Sequence, residues 1–139
     1  MKTSRRRARE FALQGLYQWQ LAGTDPATIA RQLGDAKGFD KIDAAYFNAL
    51  LEGAVAAAPE LERSLAPHLD REYSRLSPVE RAILLLAGYE LAHQPDVPYR
   101  AVINEAVELA KEYGGTDGYK YVNGVLDKLA ARLRAAEQK

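Results

Sequence analysis

Apolar residues recur at intervals of three and four along almost the whole chain, and no segment alternates apolar and polar positions beside hairpin turns. That pattern predicts helices and no strands. Ser4 caps a first helix whose core stripe is Ala8, Phe11, Ala12, Gly15, Leu16 and Trp19. Asp25 and Pro26 supply a cap and a first-turn proline for a short second helix through Ile29 and Leu33, ended by Gly34. Asp40 caps a third, running through Ile42, Tyr46, Phe47, Leu50, Leu51 and Val55, and Pro59 starts a short fourth with Leu61 and Leu65 that stops near Pro67. Ser77-Pro78-Val79-Glu80 reads as a capping box before a helix that is apolar nearly all round as far as Leu91, the pattern of a central, buried element. Beyond Pro95-Asp96-Val97-Pro98 a sixth helix carries Val102, Ile103, Ala106, Leu109, Ala110 and Tyr113. Gly114-Gly115 ends it, and Thr116 or Asp117 caps a seventh built on Val122, Val125, Leu126, Leu129 and Leu133. The expected architecture is an all-α bundle of about seven helices. On the first helix Leu13, Tyr17 and Leu21 lie opposite the core stripe, either under another helix or exposed as a protein-docking patch.

Composition sets the class. With 139 residues, 47% of them hydrophobic, the chain can bury an ordinary core, so residues 1–139 are expected to form one compact domain. The absence of cysteine excludes disulfides, thiolate metal sites and a cysteine nucleophile. No apolar stretch reaches the roughly 20 residues of a membrane span and no signal-peptide pattern opens the chain, so a cytoplasmic protein with no membrane association is expected.

Charge changes the picture only when it is located. The totals cancel at 19 basic against 19 acidic residues. Lys2, Arg5, Arg6, Arg7 and Arg9 all fall in the first nine residues, with no acid among them, which leaves 14 basic against 19 acidic side chains in the rest. A basic arm on an acidic body has the charge distribution of a local polyanion site, because binding responds to potential within roughly 8–10 Å and not to the total.

Enzymatic constellations are missing. His68 and His93 stand 25 residues apart without a carboxylate at metal-ligand spacing, and Gly114-Gly115 joins two helices and not a strand to a helix. Glu90 falls on the buried stripe of the fifth helix, where a carboxylate near a helix end accepts hydrogen bonds from a neighbouring helix. No metal, cofactor or catalytic residue is expected. The arm offers more: guanidinium forks at the start of a helix can each bind a phosphate bidentately. Arg5 and Arg9 lie one turn apart on one flank of the core stripe, with Gln20 further along that side, while Arg6 and Arg7 point elsewhere. Tyr113, Tyr119 and Tyr121 fall within nine residues among Gly114, Gly115, Asp117, Gly118 and Lys120. Aromatic planes beside glycines and a helix N-terminus suit unstacked RNA bases, although Tyr119 and Tyr121 also fit as boundary packing for the last helix.

Several segments together resemble the NusB family: Arg5-Arg6-Arg7-Ala8-Arg9-Glu10, Leu16-Tyr17-Gln18-Trp19-Gln20-Leu21, Val79 to Leu84, Tyr89-Glu90-Leu91, Asp96-Val97-Pro98-Tyr99, Ile103 to Lys111 and Tyr121 to Lys128. They occur in family order from the arm to about Ala130, the match being weak between Ala22 and Asp40. The resemblance implies two small helical bundles packed across each other and a non-enzymatic transcription antitermination factor. It further implies binding of the single-stranded boxA element of ribosomal RNA leaders together with NusE, a small-subunit ribosomal protein, in the context of transcribing RNA polymerase and other Nus factors. By position, Lys2, Arg5, Arg6, Arg7, Arg9, Gln20, His68, Arg71, Tyr113, Asp117, Lys120 and Tyr121 would face RNA, and Tyr17, Leu21 and Glu80 would face NusE. His68 stands where relatives can carry Tyr, and Tyr121 where they can carry Phe. A homodimer is also open, since some relatives self-associate. Against this stand two other readings: an RNA-binding module of an rRNA cytosine methyltransferase, which would need a further cofactor domain, and a purely protein-binding helical adaptor with a solvated arm.

Overall fold

Seven α-helices, α1 (Ser4–Ala22), α2 (Pro26–Gly34), α3 (Ala44–Ala56), α4 (Ala58–Leu65), α5 (Pro78–His93), α6 (Tyr99–Tyr113) and α7 (Gly118–Leu133), build the fold in a computed structural model that describes residues 2–138. Short 3-10 turns at Phe39–Lys41, Ala66–His68, Tyr73–Arg75 and Ala135–Gln138 complete it, and no strand occurs among the described residues. Helices α1, α2 and α3 pack as one bundle and α4 to α7 as a second, joined where α1 and α3 meet α5. This is the two-bundle all-α arrangement expected above.

The apolar pattern explains the packing. Residues Ala82 to Gly88 of α5 are buried on every side, with Glu90 and Leu91 beyond them, as an all-round apolar helix requires. Gly15 lets α1 approach the first bundle closely: a Cβ there would stand 3.1 Å from both Ile29 and Leu51. Phe39 links α1 to α3 through edge-to-face contacts with Phe11 at 5.3 Å and Phe47 at 5.2 Å.

Three helix starts differ from the sequence expectation, each for a local reason. Thr3, not Ser4, caps α1, its hydroxyl accepting from the Arg6 N–H at 3.0 Å. Asp43, not Asp40, caps α3: Gly38 at φ +90° turns the chain, Phe39–Lys41 forms a 3-10 turn, and the Asp43 carboxylate accepts from Tyr46 N–H. Asp117 does occupy the position before α7, but its side chain makes no cap bond there and pairs with Lys120 at 3.5 Å instead. Ser77 caps α5 as expected, accepting from the Glu80 N–H at 3.2 Å. On the outer face of α1, Leu13 is buried, whereas Tyr17 and Leu21 are 38% and 55% exposed. No helix of the described residues is long and apolar enough to cross a membrane.

Candidate functional site

The basic arm is built into the first turns of α1 and held down on α5, α6 and the start of α3. Arg9 is the deepest anchor. It is only 6% exposed, and its Nε and Nη2 donate to the Glu90 carboxylate at 2.9 Å each, with Glu105 a further 3.6 Å from Nη1. Tyr46 donates its hydroxyl to the same carboxylate. Burial, reinforced by the Glu90 charge, pushes the Tyr46 phenol above its ordinary range, so it stays a donor. Glu90 thus accepts from a neighbouring helix, as its place on the buried stripe implied. Arg9 corrects the expectation of a solvent-facing fork: its guanidinium faces inward.

The remaining arm cations face outward, yet most have a carboxylate beside them. Arg5 stacks 4.0 Å over the Tyr46 ring and lies 4.0 Å from Asp43. Arg6 forks onto Glu105 with bonds of 2.9 and 2.5 Å. Lys2 donates to Glu10 and, at 3.1 Å, to Glu112. These bonds hold the Lys2 ammonium above its usual pKa, and Lys2 in turn lowers the Glu112 carboxyl. Arg7 alone of the five has no carboxylate within 4.0 Å among the described residues. Glu105, Glu108 and Glu112, spaced i, i+3, i+7, form an acidic ridge along α6 under the arm. Sequence reasoning missed this ridge, although its spacing was visible. An open cleft of about 450 Å³ runs between Thr3, Arg5, Arg6 and the turn Asp96–Pro98.

A second cluster lies at the start of α7. Arg71 sits 5.5 Å over the Tyr121 ring and pairs with Asp70, whose backbone N–H donates to the Tyr121 hydroxyl at 3.2 Å. Lys111 and Lys120 flank Tyr119 at 5.2 and 6.0 Å, adding a second aromatic plane with cations above it. Tyr113 is 47% exposed and lies between this cluster and the arm, its hydroxyl 3.4 Å from Glu10. Two of the expected residues are less available. Gln20 is tied internally, donating to the Pro78 carbonyl at 3.1 Å and accepting from Tyr73 at 3.3 Å. His68 has its Nε2 buried without a partner, and burial, with Arg132 and Lys128 nearby, lowers its pKa, so it brings a neutral ring and no cation.

A third feature is an apolar groove of about 360 Å³ lined by Glu10, Phe11, Leu13, Gln14, Tyr17, Val79 and Tyr113. Tyr17 on its wall continues into exposed Leu21. Glu80, next to Val79, lies beside Gly118 at the start of α7, where a Cβ would meet its carboxylate at 3.0 Å.

The NusB family model matches residues 6–131, nine-tenths of the chain and all the surfaces just described except the tip of the arm. The chain belongs to the NusB family. The transcription antitermination protein NusB of Ralstonia nicotianae is 61% identical over 98% of this chain and 88% of its own length. Its counterpart in Nitrosospira multiformis is 64% identical over 93% and 82%. The fold is similar to that of NusB from T. maritima, with a TM-score of 0.85 at 31% identity over 95% of this chain and 94% of that one. A crystal structure of antitermination factors NusB and NusE in complex with dsRNA contains a chain that matches with a TM-score of 0.82 at 30% identity, over 94% of this chain and 98% of that one. NusB proteins are antitermination factors and not enzymes.

Proposed function

We propose that this NusB-family chain is a transcription antitermination factor that binds boxA RNA with NusE in the cytoplasm, on two adjoining faces. The observation that carries the reading is the set of cations and aromatic rings from the arm through exposed Tyr113 to half-buried Tyr119 and Tyr121, beside an apolar groove. The RNA face uses Lys2, Arg5, Arg6 and Arg7 for phosphates, and Arg71, Lys120, Tyr113 and Tyr121 for further phosphates and for stacking on bases. Asp117, exposed beside Lys120, sits at this face as an opposing charge. Arg9 acts from below, fixing the helix that presents its neighbours, and His68 and Gln20 border the face. The protein face is the groove with Tyr17, Leu21 and Glu80, and its occupant is NusE; a related NusB has been crystallised together with NusE and dsRNA. NusE seated there would extend the RNA surface and link it to RNA polymerase, raising affinity through effective concentration.

Binding of a single-stranded boxA oligonucleotide, titrated at two salt concentrations with and without NusE, tests the reading. Replacing Arg6 and Arg7 together by Ala should weaken binding and flatten the logarithmic salt slope by up to about 1.4, the value for two single-strand phosphate contacts. Most of that change should come from Arg7, because Arg6 already faces Glu105. An unchanged slope would remove the arm from the RNA face. Tyr17→Asp places a charge at a 38% exposed position, so the melting temperature should hold while capture of NusE is lost. Retention of NusE would sink the groove assignment.

A further inference from the structure

Glu10 lines two sites at once. On one side it walls the apolar groove with Phe11, Tyr17, Val79 and Tyr113. On the other it lines a charged cleft of about 130 Å³ that also holds Lys2, Arg6 and Glu112. The same carboxylate oxygen, Oε2, accepts from Lys2 and, at 3.4 Å, from the Tyr113 hydroxyl. At 16% side-chain exposure, Glu10 has little solvent to replace either partner. The other carboxylate on Lys2, Glu112, is not part of the groove wall.

One carboxylate cannot hold Lys2 fully and also serve a groove occupant. A cation or N–H that an occupant sets against Glu10 draws the carboxylate away from Lys2. Lys2, left with Glu112 alone, is then easier for an RNA phosphate to take. Thermodynamic linkage makes the effect mutual, since RNA holding Lys2 leaves Glu10 free for the occupant by the same factor.

We propose that Glu10 is the residue through which the two faces are coupled: a protein docked in the groove takes Glu10 from Lys2 and thereby raises RNA affinity. The inference rests on the reading of the arm as the RNA face and the groove as the NusE face. It adds a specific energetic link to simple proximity of two binding surfaces. In the free protein the Lys2–Glu10 pair partly neutralises the arm, so RNA alone meets a weaker field than the arm's charge suggests.

The test measures boxA oligonucleotide affinity by fluorescence anisotropy, with and without saturating NusE, for the unaltered chain, Glu10→Gln and Glu112→Gln. Thermal melts accompany it to check that the isosteric changes keep the fold. Glu10→Gln should bind RNA alone about fivefold tighter and gain clearly less from NusE than the unaltered chain does. Glu112→Gln loosens Lys2 from outside the groove, so it should tighten RNA binding and keep the full NusE gain. If Glu10→Gln keeps the full NusE gain, the proposal is overturned even where RNA binds tighter, because Glu10 then only repels phosphate. If the unaltered chain binds RNA but gains nothing from NusE, the coupling falls and the RNA reading stands. If it binds no boxA RNA at low salt, the functional reading falls and takes the coupling with it.

Discussion

Glu90→Ala should lower the unfolding free energy by about 3–5 kcal/mol, the range for removing one partner of a buried ion pair. For a chain of this length that corresponds to a fall in melting temperature of about 10–15 °C. The size follows from what is left behind. Arg9 is 6% exposed and Glu90 2% exposed, so truncating Glu90 strands a guanidinium whose nearest remaining carboxylate is Glu105 at 3.6 Å. The Tyr46 hydroxyl loses its acceptor as well. A surface pair would lose no more than about 1 kcal/mol, so urea unfolding separates the two cases directly. The double change Arg9→Met with Glu90→Gln should recover much of the loss, because it removes the stranded charge and keeps an acceptor for Tyr46. A double variant as unstable as Glu90→Ala would show that packing, and not uncompensated charge, sets the cost. The same pair matters for function, since it fixes the turn of α1 from which Arg5 and Arg6 project.

The helices were legible because their signals are local. Pro26 and Pro78 with Asp25 and Ser77 mark two starts correctly, and the all-round apolar run from Val79 to Leu91 is the central buried helix. Cap identity was less legible where two capping residues stand close together. Ser4 and Asp40 are sound caps by type, but Thr3 reaches the Arg6 amide, and the turn at Gly38 delays α3 until Asp43.

Charge was the least legible property, because pairing is tertiary. The arm reads as five free cations in one dimension. In three, Lys2, Arg6 and Arg9 meet Glu10, Glu112, Glu105 and Glu90, most of them 80 to 110 residues away in the chain. The residues singled out for RNA therefore divide by depth. Arg5 and Tyr113 are exposed, Arg7 is half-buried with no carboxylate beside it, Lys2 and Arg6 are held by carboxylates, and Arg9 is a buried support. The split of Leu13 from Tyr17 and Leu21 has the same origin. One helix face crosses the edge of the second bundle, and only its far end stays outside.

Arg134→Ala should cost about 3 kcal/mol, and Arg134→Lys nearly as much, although Arg134 belongs to neither proposed face. The end of a helix leaves its last carbonyls without partners. At the end of α5 one buried guanidinium gathers the carbonyls around the turn: Arg134 donates to Leu91 O at 2.8 Å, Gln94 O at 2.9 Å and Glu90 O at 3.1 Å, and to Val97 O in the following turn at 2.9 Å. Its fifth bond, 2.6 Å to Glu137, orients a carboxylate that accepts the Tyr99 N–H at 2.7 Å. That carboxylate caps α6, where Pro98 provides no side-chain acceptor. Truncation would leave the Leu91 and Val97 carbonyls dependent on water, would take a second donor from the Glu90 and Gln94 carbonyls, and would release the α6 cap. Lysine cannot restore the arrangement, because a point charge with three donors does not span four carbonyls set around a planar fork. Glu137→Gln, which weakens only the cap, should cost much less than Arg134→Ala. Urea unfolding gives the magnitudes, and faster hydrogen exchange at Val97 and Tyr99 would localise the loss to the α5–α6 turn. An Arg134→Lys protein as stable as the unaltered chain would refute the role of the fork. Arg134 holds the backbone of Glu90 while Arg9 holds its side chain, so changes at the two arginines should not be additive. The C-terminal turn and the basic arm are thus secured at the same residue of α5, which makes the stability of the distant C-terminus a determinant of how the arm is presented to RNA.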